Sequence, residues 1–179
     1  MLDKKRCLLI VTDIQGKLAQ LMFERESLYK NIGIIIDGFK ILDIPILWLE
    51  QYPEGLGPTV PEVASHLKGL EPIPKKTFSA LKDQTIFNRF TETARNQIIL
   101  TGIETHICVY QTSMHLLSMG IETHVVQDAV SSRTASNKTI GLEKIVRAGG
   151  HITSVETALF ELLGIAEGEA FKNILELVK

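Results

Sequence analysis

Leu100-Thr101-Gly102-Ile103-Glu104-Thr105-His106-Ile107-Cys108-Val109 is the stretch from which the fold of this chain is read. It continues the apolar, β-branched run Gln97-Ile98-Ile99, and Gly102 interrupts that run. From Cys108 onward Val109, Ser113, Leu116 and Leu117 fall at helical spacing. The pattern predicts a buried strand, a sharp turn, and a helix from Cys108 to Met119 stopped by Gly120. A thiol at the first turn of a helix faces unpaired backbone N–H groups and the positive end of the helix dipole. Its pKa is then expected below the usual value of about 8.5, and the same N–H groups can hold an oxyanion. In an apolar segment a cysteine serves equally well as a small buried hydrophobe, so this stretch alone does not make Cys108 a nucleophile.

Working outward, Cys7-Leu8-Leu9-Ile10-Val11-Thr12 is apolar without alternation, the pattern of a strand buried on both faces of a parallel sheet. Asp13 stands at its carboxyl edge, where open α/β sheets bind ligands; an aspartate there also serves commonly as a cap or turn residue. Leu28, Ile32, Ile35, Ile36 and Phe39 make an apolar helical stripe over 25–42, and 44–50 reads as the second strand. The segment 51–61 has no period and holds three prolines and two glycines, which marks a shaped loop at that strand's carboxyl edge. An edge strand is expected at 70–74, where prolines are tolerated, and an amphipathic helix at 83–95. A strand over 122–127, a helix over 136–148, a short strand at 151–153 and helices at 155–163 and 167–178 complete the alternation. Strands and helices in this rhythm predict an α/β fold: a mainly parallel sheet with right-handed crossovers and helices on both faces.

Composition excludes more than it identifies. The 179 residues fit one domain over the whole chain, with 45% apolar residues to fill a core. A net charge of −2 gives no electrostatic reason to expect nucleic acid or an anionic membrane as partner. Two cysteines are too few for a disulfide scaffold. The apolar run after Lys4-Lys5-Arg6 ends at Thr12-Asp13, which is not the pattern of a signal peptide, and no run is long enough to span a bilayer. A cytoplasmic, reducing setting is the expectation.

Three separated elements together carry a family resemblance: Asp13 at the end of the first strand, Lys75 four residues before Ser79 in Lys75-Lys76-Thr77-Phe78-Ser79, and the stretch Thr101 to Val109. The chain resembles the isochorismatase-like cysteine hydrolases. Glu50-Gln51-Tyr52-Pro53-Glu54-Gly55-Leu56-Gly57-Pro58-Thr59-Val60-Pro61-Glu62 and Asp128-Ala129-Val130-Ser131-Ser132-Arg133 are similar to the subgroup called isochorismatase domain-containing proteins. The resemblance implies a three-layer α/β/α fold with a six-stranded sheet of order 3-2-1-4-5-6, which would bring Asp13 and Cys108 together at the switch point. It implies a catalytic triad of Asp13, Lys75 and Cys108, with Lys76 taking the lysine role if the register slips by one. It also implies a cis, non-proline peptide at Ile103–Glu104, and an oxyanion hole made by the backbone N–H groups of Glu104 and Cys108.

The chemistry implied is hydrolysis of a C–N bond in a small amide, imide or carbamoyl compound through a thioester on Cys108. Gln51 and Tyr52 are the expected substrate contacts. Nicotinamidases in the family hold a metal with an Asp and paired histidines after strand two; no histidine lies in 51–61 and His66 stands alone, so neither a metal nor any other cofactor is expected. The resemblance implies a homo-oligomer, dimer or larger. Two other readings stand beside this one. The first is vinyl-ether hydrolysis of the isochorismatase type, needing only Asp13. The second is a non-catalytic or redox-responsive oligomeric binding protein built around an acidic thiol.

Overall fold

The computed structural model describes residues 1–179. Six strands, β1 (Cys7–Thr12), β2 (Ile46–Gln51), β3 (Ile73–Lys75), β4 (Gln97–Ile103), β5 (Glu122–Ser131) and β6 (His151–Thr153), form one sheet of order β3-β2-β1-β4-β5-β6. Every neighbouring pair is parallel. The helices are α1 (Gly16–Gln20), α2 (Arg25–Ile41), α3 (Pro53–Leu56), α4 (Pro61–Ala64), α5 (Gln84–Glu92), α6 (Tyr110–Ser118), α7 (Ala135–Arg147), α8 (Val155–Leu163) and α9 (Gly168–Val178).

The alternation of β1 divides the interior in two. Cys7, Leu9 and Val11 point to a core closed by Ile32, Ile35, Ile36 and Phe39 of α2, Leu159 of α8 and Ile174 of α9. Leu8 and Ile10 point to the other side, against Ile86 and Phe90 of α5, Leu116 of α6 and Ile145 of α7. This is why the strand reads as apolar without a break: neither face meets water. Phe39 is fully buried, and truncating such a residue to alanine costs about 3–5 kcal/mol. α2 ends where Asp43 takes a left-handed conformation (φ 54°), and the Ile44 N–H closes back on the Phe39 carbonyl at 2.9 Å.

Boundaries differ from the sequence expectation in five places. β3 covers Ile73–Lys75 rather than 70–74, so Lys75 is itself the last residue of the edge strand. β4 continues through Gly102 to Ile103, and β5 continues to Ser131 after a break in register opposite Leu100 and Gly102. The aperiodic loop 51–61 contains the one-turn helix α3 and the start of α4, each with proline in its first turn. The helix expected from Cys108 begins as a π-helical turn, Thr105–Val109, and turns α-helical only at Tyr110.

Candidate active site

β1 and β4 run side by side with Thr12 opposite Gly102, so Asp13 and the turn after β4 emerge together from the carboxyl edge. Gly102 is required there. Its φ is +108°, and a Cβ would lie 2.0 Å from the Thr12 carbonyl oxygen. The Ile103–Glu104 peptide that follows is cis. The Glu104 carbonyl then accepts from the N–H of Ile107 at 3.0 Å and of Val109 at 3.3 Å, the second being the i→i−5 bond of a π turn. α7 packs backbone to backbone against this turn: a Cβ on Gly141 would be 2.8 Å from His106 N and Thr105 O.

Asp13, Lys75 and Cys108 are all buried and converge at this edge. Asp13 does not cap α1, whose N-cap is Gln15; it sits at φ 56°, with one carboxylate oxygen, Oδ2, accepting from Lys75 Nζ at 2.7 Å. The other oxygen, Oδ1, is buried and has no hydrogen-bond partner. Cys108 is the thiol beside that carboxylate, close enough that each shifts the other's ionisation. Burial raises the Asp13 pKa above the ordinary carboxylate value, outweighing the opposing pull of Lys75. Burial pushes the Cys108 thiol up to about 12, with the negative charge of Asp13 adding to the rise and Lys75 opposing it. The acidic thiol expected from a helix start is therefore corrected: desolvation and a neighbouring carboxylate outweigh the dipole, and the resting nucleophile is a neutral thiol.

Buried oxygens without partners cluster here. Besides Asp13 Oδ1 they are Thr12 Oγ1 and Thr105 Oγ1, on the two segments flanking the thiol, and only Tyr29 OH lies in a distant one. Buried polar atoms are nearly always satisfied, so such a group marks a place where a ligand or water belongs.

The structure separates the two lysines. Lys75 is buried against Asp13, whereas Lys76 is exposed and lies 5.5 Å above the ring of Tyr52. Gln51 and Tyr52, the expected substrate contacts, behave differently from each other. The Gln51 amide is already committed, accepting from Lys75 Nζ at 2.5 Å and donating to the Lys76 carbonyl at 2.9 Å. Tyr52 is 48% exposed, with its backbone left-handed at φ 38° and its ring over Gly55, at the rim of a cavity of about 390 Å³ that also includes Lys75, Lys76 and Lys82.

Several residues that hold the site escaped the sequence reading. Gln15 is fully buried and clamps the backbone of Gln51, accepting from its N–H at 2.6 Å and donating to its carbonyl at 3.1 Å. Glu50 Oε1 accepts from both the N–H and the hydroxyl of Thr59, each at 2.7 Å, which fastens the loop between β2 and α4. The Glu104 side chain is not mere packing: its Oε2 accepts from Arg133 N at 3.0 Å and from Arg133 Nε at 3.2 Å, tying the turn before Cys108 to the end of β5. His106 pairs with Ser132 Oγ at 3.0 Å, and Ser79 with His115 Nδ1 at 3.2 Å. Only the spacing of Lys75 to Ser79 gave any signal for one of these. His66 pairs with Asp37 at 2.8 Å, and no group of three His, Cys, Asp or Glu side chains is arranged to hold a metal ion. No helix is long and apolar enough to cross a membrane.

A family model described as isochorismatase domain matches residues 7–157. The secreted isochorismatase effector Isc1 of Phytophthora sojae is 37% identical over 175 residues, covering 96% of this chain and 83% of that protein. Isochorismatase domain-containing protein 2 of Danio rerio is 34% identical over 177 residues, covering 99% of this chain and 89% of that one. Among solved structures, the MAR1 ribonuclease from Caenorhabditis elegans superposes with a TM-score of 0.91 at 33% identity, over 99% of this chain and 91% of that one. The YcaC gene product of Escherichia coli, an octameric hydrolase of unknown specificity, superposes at 0.92 with 20% identity, over 98% and 89%.

Proposed function

The chain belongs to the isochorismatase family, and from that premise we propose that it is a cysteine hydrolase cleaving the C–N bond of a small amide, imide or carbamoyl compound. One observation carries the reading: a buried carboxylate with one oxygen fixed by Lys75 and the other without a hydrogen-bond partner, set beside the Cys108 thiol. Such a pair is a general base facing its nucleophile.

In the first half-reaction Asp13 Oδ1 takes the thiol proton as the Cys108 sulfur bonds to the substrate carbonyl carbon. The raised pKa of Asp13 makes it the stronger base for a thiol that does not ionise beforehand. The carbonyl electrons move to oxygen, where the N–H groups of Glu104 and Cys108 are the proposed donors. Collapse of the adduct breaks the C–N bond, and Asp13 passes its proton to the leaving nitrogen. Water then attacks the thioester while giving a proton to Asp13, and collapse returns that proton to sulfur with release of the acid. Lys75 keeps its proton throughout.

The paired state of Lys75 and a net charge of −2 favour a neutral small molecule over a polyanion. Tyr52, half exposed at a cavity rim, is the substrate contact in this reading. A homo-oligomer in a cytoplasmic setting belongs to the same proposal. The catalytic reading and the redox-responsive alternative both drew on an acidic thiol, which burial opposes; the catalytic reading keeps a route because Asp13 can act as general base as the bond forms. Intact-protein mass spectrometry with a panel of small amides, imides and carbamoyl compounds tests the reading. An acyl adduct on the wild type and none on Cys108→Ala is expected; turnover without any adduct, retained in Cys108→Ala, would replace it with acid-only chemistry on Asp13.

A further inference from the structure

Lys75 Nζ has three protons and three acceptors: Asp13 Oδ2 at 2.7 Å, Gln51 Oε1 at 2.5 Å and the Thr77 carbonyl at 3.2 Å. An ammonium so filled has no N–H left for substrate or for sulfur. Its influence on the reaction passes through Asp13 and through its charge, and both depend on where the ammonium is held. Asp13 is the partner whose protonation changes during turnover, and Thr77 supplies only a long contact. That leaves the Gln51 oxygen as the one short, neutral and unchanging anchor.

We infer that Gln51 is a positioning residue that fixes the Lys75 ammonium against Asp13, and that Gln15 holds Gln51 in place to do so. The inference rests on the Asp13–Lys75–Cys108 reading. The connections are continuous. Gln15 grips both backbone polar groups of Gln51 and also donates to the Gly57 carbonyl at 2.7 Å, so the end of β2 and the loop beyond it form one rigid support. The other end of the Gln51 amide donates to the Lys76 carbonyl, directly after Lys75, which fixes which way the amide faces. The Tyr52 N–H donates to the Lys75 carbonyl at 2.8 Å and completes the frame. Gln51 thus holds the lysine at its backbone neighbour and at its charged tip. Glutamine suits this place because its amide oxygen accepts a hydrogen bond from Lys75 without adding negative charge; a carboxylate there would compete with Asp13 for the ammonium.

The test needs no substrate, because iodoacetamide reads the thiolate fraction of Cys108 directly. Alkylation rates are followed from pH 7 to 10 by intact mass for wild type, Gln51→Ala, Gln51→Met, Gln51→Glu, Lys75→Met and Lys76→Ala, with melting temperatures to verify folding. Loss of the anchor lets the ammonium drift from the site, so Gln51→Ala and the space-filling Gln51→Met should alkylate about three- to tenfold more slowly at pH 9, equivalent to a rise of up to one unit in the thiol pKa. Gln51→Glu, with a second carboxylate against the ammonium, should be slower still, and Lys76→Ala should match wild type. On a substrate, kcat should fall in the Gln51 variants with KM little changed. If Lys75→Met slows alkylation while folded Gln51→Met and Gln51→Glu follow the wild-type profile, Gln51 is not a positioning residue and the triad reading stands. If Lys75→Met also follows the wild-type profile, both fail.

Discussion

The two cysteines of this chain lie at opposite edges of the same sheet, and their difference shows what makes a thiol a nucleophile. Cys7 opens β1 at the amino edge and Cys108 follows β4 at the carboxyl edge; both are buried, and burial lifts one to about 11 and the other to about 12. Neither burial nor pKa tells them apart. The acceptor does: the Cys7 sulfur lies 3.5 Å from the neutral amide oxygen of Gln97, whereas Cys108 lies beside the buried Asp13 carboxylate. An amide cannot remove a proton, and a carboxylate whose pKa burial raises can.

The largest effect that could break this contrast is on turnover. Cys108→Ala should lose on the order of 10³-fold or more in kcat, with Cys7→Ala within about twofold of wild type, as measured on any substrate that acylates the protein. Asp13→Asn sharpens the contrast because its two effects have opposite signs. Turnover should fall by about 10² to 10⁴, yet iodoacetamide should alkylate Cys108 up to about tenfold faster at pH 8, since the carboxylate's charge is among the causes raising that thiol. Smaller again is the linkage to stability. The unfolded chain loses its thiol protons near the ordinary value of 9.0 while folded Cys7 holds its proton to about 11, so stability present below pH 9 is lost as pH rises toward 11. Denaturation of Cys7→Ser across that window should show a loss about 1–2 kcal/mol smaller than wild type, because serine does not ionise there. The smallest effect concerns the support of the carboxyl edge. Arg133→Ala removes a half-exposed guanidinium but leaves the backbone N–H on Glu104, so urea titration should show a loss of about 1 kcal/mol.

What the sequence could and could not reveal divides along the range of the forces involved. The unbroken run Cys7–Thr12 and the stripe of α2 are local patterns, and each has its element in the structure; Gly102 is a local mark too, but the strand runs through it to Ile103. Asp13 and Cys108 each stand at a strand's carboxyl edge, which is a local pattern, but joining them with Lys75 as a set rested on the family resemblance; the structure brings the three side chains together. The Gln15–Gln51 clamp joins residues 36 apart, and Glu104 meets Arg133 across 29, so nothing in their own neighbourhoods announces the pairing. The thiol's ionisation was misread for the same reason. A helix start is visible along the chain, whereas burial by the rest of the fold and a charge from β1 are not. The π turn leaves no mark in composition either, since its i→i−5 bond depends on how β4 delivers the chain into it.

The neutral resting state of Cys108 also bears on how long the protein lasts. A thiolate reacts with peroxides and disulfides far faster than a thiol, so burial and the Asp13 carboxylate, which both raise the Cys108 pKa, slow those reactions between catalytic cycles. Reactivity rises when a carbonyl group occupies the site and Asp13 takes the proton as the bond forms. The arrangement exchanges speed toward any electrophile for selectivity in time: the sulfur is most nucleophilic during an encounter with substrate and less exposed to oxidative damage in the intervals.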